Sequence, residues 1–292
     1  MKLIADLTAT GMRGAQSEGL GPTDPAAPAA SGGTETVIAQ GGKYFRVHTF
    51  LTSGTLTVTS GGAAEILLVG AGGPGGSVAA GDATTAGGGA AGDVIAQAVT
   101  LTVGTHTITV GEGGVSTDHT SATSGGNTTA LGLTALGGGY GGARSLPCVD
   151  GGGGDVINVS GAAHPTSFSG GDAAGSGGSR AGGGGRGSAG DGQNGGVNGS
   201  GIGGDGGPAT SSDIDGTATD YGRGGAGGGR QGGGDPNGAS VSADGQPGVN
   251  PGDGGGGATA TAGDPQRTGG PGADGIGILR YEITEAEYLE AA

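Results

Sequence analysis

The sequence predicts a mainly β protein: an antiparallel β-sandwich with a long inserted bundle of packed polyglycine II helices and very little α-helix. Three observations predict it. Short alternating or apolar runs between Tyr44 and Val110 are separated by glycine turns. Glycine tracts then dominate, with four in a row at Gly151–Gly154, Gly182–Gly185 and Gly254–Gly257, among 82 glycines in 292 residues. One further apolar strand, Ile276–Ile283, follows far from the others.

Taken in order, residues 1–42 read as an anchoring arm. The short apolar stretch Leu3–Leu7 leads into GPTDPAAPAASGG, a linker composition with no core of its own. Residues 43–136 read as the sandwich. Tyr44–Phe50 is a strand, Thr55–Thr59 alternates strictly, and Ala64–Val69 is more fully apolar and runs directly into GAGGPGG. Asp93–Val99 and Thr105–Val110 follow, and Thr128–Leu136 is a further candidate. If Ile276–Ile283 completes this sheet (residues 276–284), then 137–275 is one insertion with both ends clamped, and 285–292 is an acidic tail.

Such an insertion needs an ordered solution, because a structureless loop of that length is uncommon in a compact domain. Collagen is excluded, since GGGG breaks the every-third-residue rule. Glycine in the polyproline II conformation has three residues per turn and no internal hydrogen bonds, so side-by-side helices can bond to one another. Ordering a residue costs about 1–2 kcal/mol and a backbone hydrogen bond returns roughly 0.5–1.5 kcal/mol net. Only a packed, clamped bundle closes that balance. Glycine at interior positions is then a steric requirement, and the turns carry the remaining chemistry.

The charges separate this chain from a disordered one. No lysine follows Lys43 and no glutamate lies between Glu112 and Glu282, so acidity there rests on aspartate beside glycine, a turn signature. A net charge of −15 repels nucleic acid, although Arg180, Arg186, Arg223 and Arg230 sit among glycines. Cys148 is the only cysteine, which excludes an intrachain disulfide and a thiolate metal site. MKLIADLTAT has no long apolar core, so no signal peptide is expected, nor any membrane insertion. An external protein would then leave the cell by assembly into a particle released by lysis.

The order of motifs is YFRVHTFLTSGTLTV, EILLVGAGGPGG, GGGAAGDV, TLTVGTHTITVGEGG, GGNTTALG, glycine tracts and GIGILRYEI. Over residues 43–283 this resembles the glycine-rich domain of bacteriophage tail fibre and minor tail proteins. The long tracts are similar to those of phage tail-tip adhesins, in which loops on polyglycine helices bind the host receptor. The resemblance implies a virion structural protein, docked to other virion proteins through its arm and contacting a host surface glycan or protein. A homo-oligomer such as a trimer is compatible with it. The alternatives are a capsid decoration or head fibre without receptor binding and, more remotely, an ice-binding protein.

The insertion's loops supply the receptor-binding candidates: His164, Phe168, Asp213, Asp215, Tyr221, Asn237 and Asp244. His48 and His106 lie in strands and are expected on solvent faces, whereas His119 and His164 lie in loops beside hydroxyls. Tyr140 is a scarce aromatic among glycines, read as plugging the bundle edge or stacking on a sugar. No carboxylate pair or nucleophile triad marks an enzyme, and no cofactor is expected. Calcium has only the faint support of Gly201–Gly207 and Gly272–Ile278.

Overall fold

A computed structural model describes residues 27–142, 181–193, 195, 201–240 and 242–291. In chain order the strands are β1 (Ala29–Ser31), β2 (Thr34–Gln40), β3 (Lys43–Phe50), β4 (Gly54–Ser60), β5 (Gly62–Val69), β6 (Val94–Leu101) and β7 (Gly104–Ile108). Four short strands follow: β8 (Ser116–Asp118), β9 (Ser121–Ala122), β10 (Thr128–Ala130) and β11 (Leu133–Ala135). Then come β12 (Thr210–Ser212), β13 (Thr219–Tyr221), β14 (Ile276–Ile283) and one helix, α1 (Glu285–Ala291). The fold is mainly β with antiparallel sheets, as the sequence predicts.

Five strands form the principal sheet in the order β2-β3-β14-β5-β6, and three form a second, β1-β4-β7. β14 sits in the middle, antiparallel to both β3 and β5. The alternation of β4 explains the sandwich. Leu56 and Val58 are buried while Thr55, Thr57 and Thr59 face out. They pack with Phe50, Ile66, Leu68, Ile95, Leu279 and Tyr281 from the larger sheet. Each such side chain contributes about 1.5–3 kcal/mol when fully buried.

The continuous apolar run Ile66–Val69 has a different cause. Ile66 and Leu68 face the second sheet, whereas Leu67 and Val69 face the opposite way and pack with Val47, Ile278, Ile214 and Tyr221. The principal sheet is therefore covered on both faces, the second cover being the β12–β13 hairpin. Arg280 fastens that cover. Its guanidinium donates to Glu65 at 2.7 Å and to the Ile214 carbonyl at 3.1 Å, and it lies 4.6 Å over the Phe45 ring.

Several expectations are corrected. β1 and β2 lie within the stretch read as an arm. β2 and β3 are joined by Gly41-Gly42, both at positive φ, with Gln40 opposite Lys43, which is a two-residue hairpin turn. His48 is not on a solvent face. It is fully buried, bonded to the Gly32 carbonyl at 2.9 Å and the Tyr281 hydroxyl at 3.3 Å. The acidic tail contains a helix, because Thr284 and Glu287 satisfy one another's backbone N–H groups in a capping box. Tyr288 of that helix lies 4.7 Å from Tyr44.

The glycine segments are cross-linked mostly through the main chain. Ala86, Gly89 and Gly92 donate to the carbonyls of Ala258, Gly255 and Gly252. The residues one step on, Gly87, Ala90 and Asp93, donate to Gly142, Gly139 and Leu136. The next set, Gly88 and Ala91, donates to Gly183 and Arg186, and all these bonds are 2.8–3.0 Å. Bonds to one neighbour thus recur every third residue, so segment 86–93 is bonded on three sides.

The steric pattern has the same period. A Cβ on Gly70 or Gly73 would lie 2.6 or 2.5 Å from the carbonyl carbon of Leu136 or Gly139, and one on Gly76 would lie 2.9 Å from that of Gly142. Neighbouring chains approach more closely than any side chain allows. Segments 70–78 and 111–127 belong to the same cross-linked set as the tracts after 181.

Candidate functional site

The strands give the molecule two poles. β5 ends at Val69 and β14 begins at Ile276 where the glycine segments attach, and Phe50 lies there too, opposite Gly277. At the other pole are Gly62, Gln40, Lys43, Ile283 and α1. The described chain enters at that pole, since Ala29 pairs with Ser60 and Pro28 lies against Gly62. The outer turns of the glycine segments form the opposite pole. There Gly81 donates to the Asp264 carbonyl, Ser242 and Thr261 share a hydroxyl bond of 3.0 Å, and Gln266 donates to the Thr117 carbonyl.

The candidates from sequence scatter over this frame. Asp213 is exposed but lies on the flank of the principal sheet, its carboxylate accepting from Gln40 Nε2 at 2.8 Å. Asp215 is half-buried in the same loop and accepts from the Thr217 N–H at 3.0 Å. Tyr221 is corrected: it is 2 % exposed, packed beneath the hairpin against the sheet, and cannot meet a receptor. Burial, then the nearby Asp215 carboxylate, raise its phenol pKa.

Asn237 is corrected as well. It is buried and ties three segments, its Oδ1 accepting from Ala226 N–H at 2.8 Å and its Nδ2 donating to Gly254 O at 2.9 Å and Pro247 O at 3.4 Å. Asp244 alone of the described candidates lies near the outer pole, exposed, with its carboxylate accepting from Thr268 N–H at 2.8 Å. His164 and Phe168 lie outside the described residues, as does Cys148.

The aspartates of the two calcium-like stretches hold backbone. Asp205 accepts from the Asp235 N–H at 2.9 Å and Asp274 from the Gly113 N–H at 2.7 Å. Asp253, buried near the sheet end of the bundle, accepts from Arg223 and Asn250 N–H groups, and burial raises its pKa despite those bonds. Among the described residues no group of three His, Cys, Asp or Glu side chains is placed to hold a metal ion. Nor is any described helix long and apolar enough to cross a membrane.

The outer pole carries a feature that the sequence reading did not assemble. A cleft of about 400 Å³ opens between the β8–β9 hairpin and Tyr140, lined by Val115, Thr117, Thr120, Ser121, Ala122, Thr123 and Tyr140. The signal was present as the hydroxyl-rich run VSTDHTSAT and the one aromatic in GGGYGG, but only the fold brings the two together.

A family model described as a glycine-rich domain matches residues 49–282, and the chain belongs to that family. No curated protein matches the chain.

Proposed function

We propose that this is a bacteriophage virion structural protein, a tail fibre or tail-tip adhesin that meets the host cell surface through turns on a polyglycine II scaffold. The observation that carries the reading is the polarity of the molecule. The described chain enters at one pole beside α1, and the outer turns of a main-chain-bonded bundle stand at the other. Such a layout suits attachment to other virion proteins at the first pole and display at the second. The three-residue period of the cross-links supports the polyglycine II assignment, because that helix has three residues per turn.

A scaffold of this kind is held mostly by main-chain bonds, so it depends little on most of the side chains in its turns. The turns can then vary with the receptor, as functional loops on rigid frames do. The chemistry on offer is recognition, with hydroxyl, carboxylate and aromatic groups at the outer pole.

Immunogold labelling of particles with antibody to the chain is the test, combined with adsorption after the outer turns 79–84, 116–122, 240–244 and 261–264 are exchanged. Label at the tail tip and altered adsorption are expected. Label on the head would turn the assignment to a capsid decoration, and unchanged host range after all exchanges would remove the receptor role.

A further inference from the structure

We propose that the cleft between the β8–β9 hairpin and Tyr140 binds a neutral saccharide. The inference rests on the adhesin reading only for where that sugar comes from, and the cleft argues its chemistry independently.

Tyr140 is the starting point. It stands in a tract, Gly137–Gly142, whose glycines lie too close to neighbouring carbonyls to carry a Cβ: one on Gly141 would lie 2.7 Å from the Gly88 oxygen. A tyrosine here can only point away from the bundle. Every other aromatic among the described residues, namely Tyr44, Phe45, Phe50, Tyr221, Tyr281 and Tyr288, lies on or against the sheets. A lone ring at the outer pole adds nothing to that core, and it faces a cleft of the size small ligands occupy, roughly 300–1,000 Å³.

The opposite wall is built of hydroxyls already oriented by their own bonds. Thr117 Oγ1 donates to the Ser121 carbonyl at 3.4 Å, and Thr120 Oγ1 donates to Asp118 at 2.7 Å. A hydroxyl that has given its proton still accepts, so both present acceptor oxygens to a sugar hydroxyl. Ser121 Oγ makes no hydrogen bond among the described residues and supplies a donor. The hairpin is also fastened to the bundle, through Ser116 Oγ to Ser77 Oγ at 2.7 Å and Gln266 Nε2 to the Thr117 carbonyl at 3.3 Å. The wall is pre-formed, which lowers the ordering cost of binding.

Together these are the two halves of sugar recognition: an aromatic face for the apolar C–H side of a pyranose, and a polar wall for its hydroxyls. The ligand's charge follows from what is missing. None of the seven lining side chains is charged, Asp118 at the hairpin tip is negative, and the whole chain carries −15, so among the described lining residues there is no cation to meet a sialic or uronic acid.

The test uses the full chain and saturation-transfer NMR with a panel of glucose, galactose, mannose and N-acetylglucosamine oligomers, with N-acetylneuraminic acid and galacturonic acid as anionic comparisons. At least one neutral sugar should receive saturation and the acids should not. Tyr140→Ala should weaken that binding at least about tenfold while Tyr140→Phe retains it, with melting temperatures showing that both variants fold. Absence of neutral-sugar binding, preference for the acids, or full binding by folded Tyr140→Ala would each overturn the proposal. The two readings fail separately. Tail-tip label with tip-dependent adsorption but no sugar binding removes the cleft alone, whereas sugar binding with head label removes the adhesin alone.

Discussion

Replacing Gly255 by alanine tests the main-chain scaffold directly. The new Cβ would lie 2.6 Å from the Gly270 carbonyl carbon and 2.7 Å from the Pro271 oxygen, closer still to the Gly270 oxygen, whereas ordinary contact begins near 3.4 Å. The segments must part by roughly 1 Å. Gly270 of the displaced segment donates to the Gly256 carbonyl at 2.9 Å, and a separation of that size takes this bond beyond hydrogen-bonding range. Two buried, unpaired backbone groups cost about 1–3 kcal/mol each, and overpacking about 1–3 kcal/mol where the segments resist. The expected loss is about 3–9 kcal/mol, a large share of a typical total of about 5–15 kcal/mol.

The control is Gly232→Ala. At that glycine a Cβ meets nothing within 4 Å and the backbone is not left-handed. Its effect should stay within about 0.5 kcal/mol. Thermal melting by circular dichroism reads both. At roughly 2–4 °C per kcal/mol, Gly255→Ala should melt at least about 6 °C below the wild type, with Gly232→Ala beside the wild type. If the two variants melt within about 2 °C of each other, the close-packing argument fails.

Two further outcomes follow from buried polar groups. Asn237→Leu fills nearly the same space but leaves the Ala226 N–H and Gly254 carbonyl unpaired, so it should cost about 2–6 kcal/mol and raise amide exchange at Ala226 by at least an order of magnitude; unchanged exchange there would show that the tie is not needed. Burial lowers the pKa of His48 below its ordinary 6.5, against weaker support for the cation from the Gly32 carbonyl and the Glu35 carboxylate. The unfolded chain therefore binds the proton first, so this contribution is intact above about pH 6.5 and is lost as pH falls below it. The wild type should lose more melting temperature between pH 7 and pH 5 than His48→Gln does, and parallel losses would show that His48 is not the titrating group.

Strand identity was legible where alternation is local. Thr55–Thr59 and Thr105–Val110 announce themselves by period two; the first lies within β4, and the second overlaps β7, which ends at Ile108. β2 was not legible because Thr34-Glu35-Thr36 is polar and the Gly41-Gly42 turn reads like linker glycine. The cover of Leu67 and Val69 was unreadable for a different reason. It comes from SSDIDGTATDY, where only Ile214, Ala218 and Tyr221 are apolar, and the burial of Ile214 and Tyr221 depends on a hairpin placed by tertiary contacts. Asn237 looked like a turn residue by composition, but its amide matches one donor and two acceptors on three segments, a fit that exists only after packing. The outer cleft needed residues 115–123 and 140 brought side by side, which no local pattern encodes.

The position of β14 has a consequence for synthesis. The strand at the centre of the principal sheet is translated after all the others, and residues 70–275 must be made before it can pair with β3 and β5. Until then β3 and β5 lack their shared neighbour, and the glycine segments hang from a sheet with its middle missing. Pairings this distant in sequence form slowly, because the whole intervening chain must be closed into a loop first. A ribosome that stops early leaves a product unable to assemble its sheet, so proteolysis can discard truncated chains before they enter any larger assembly.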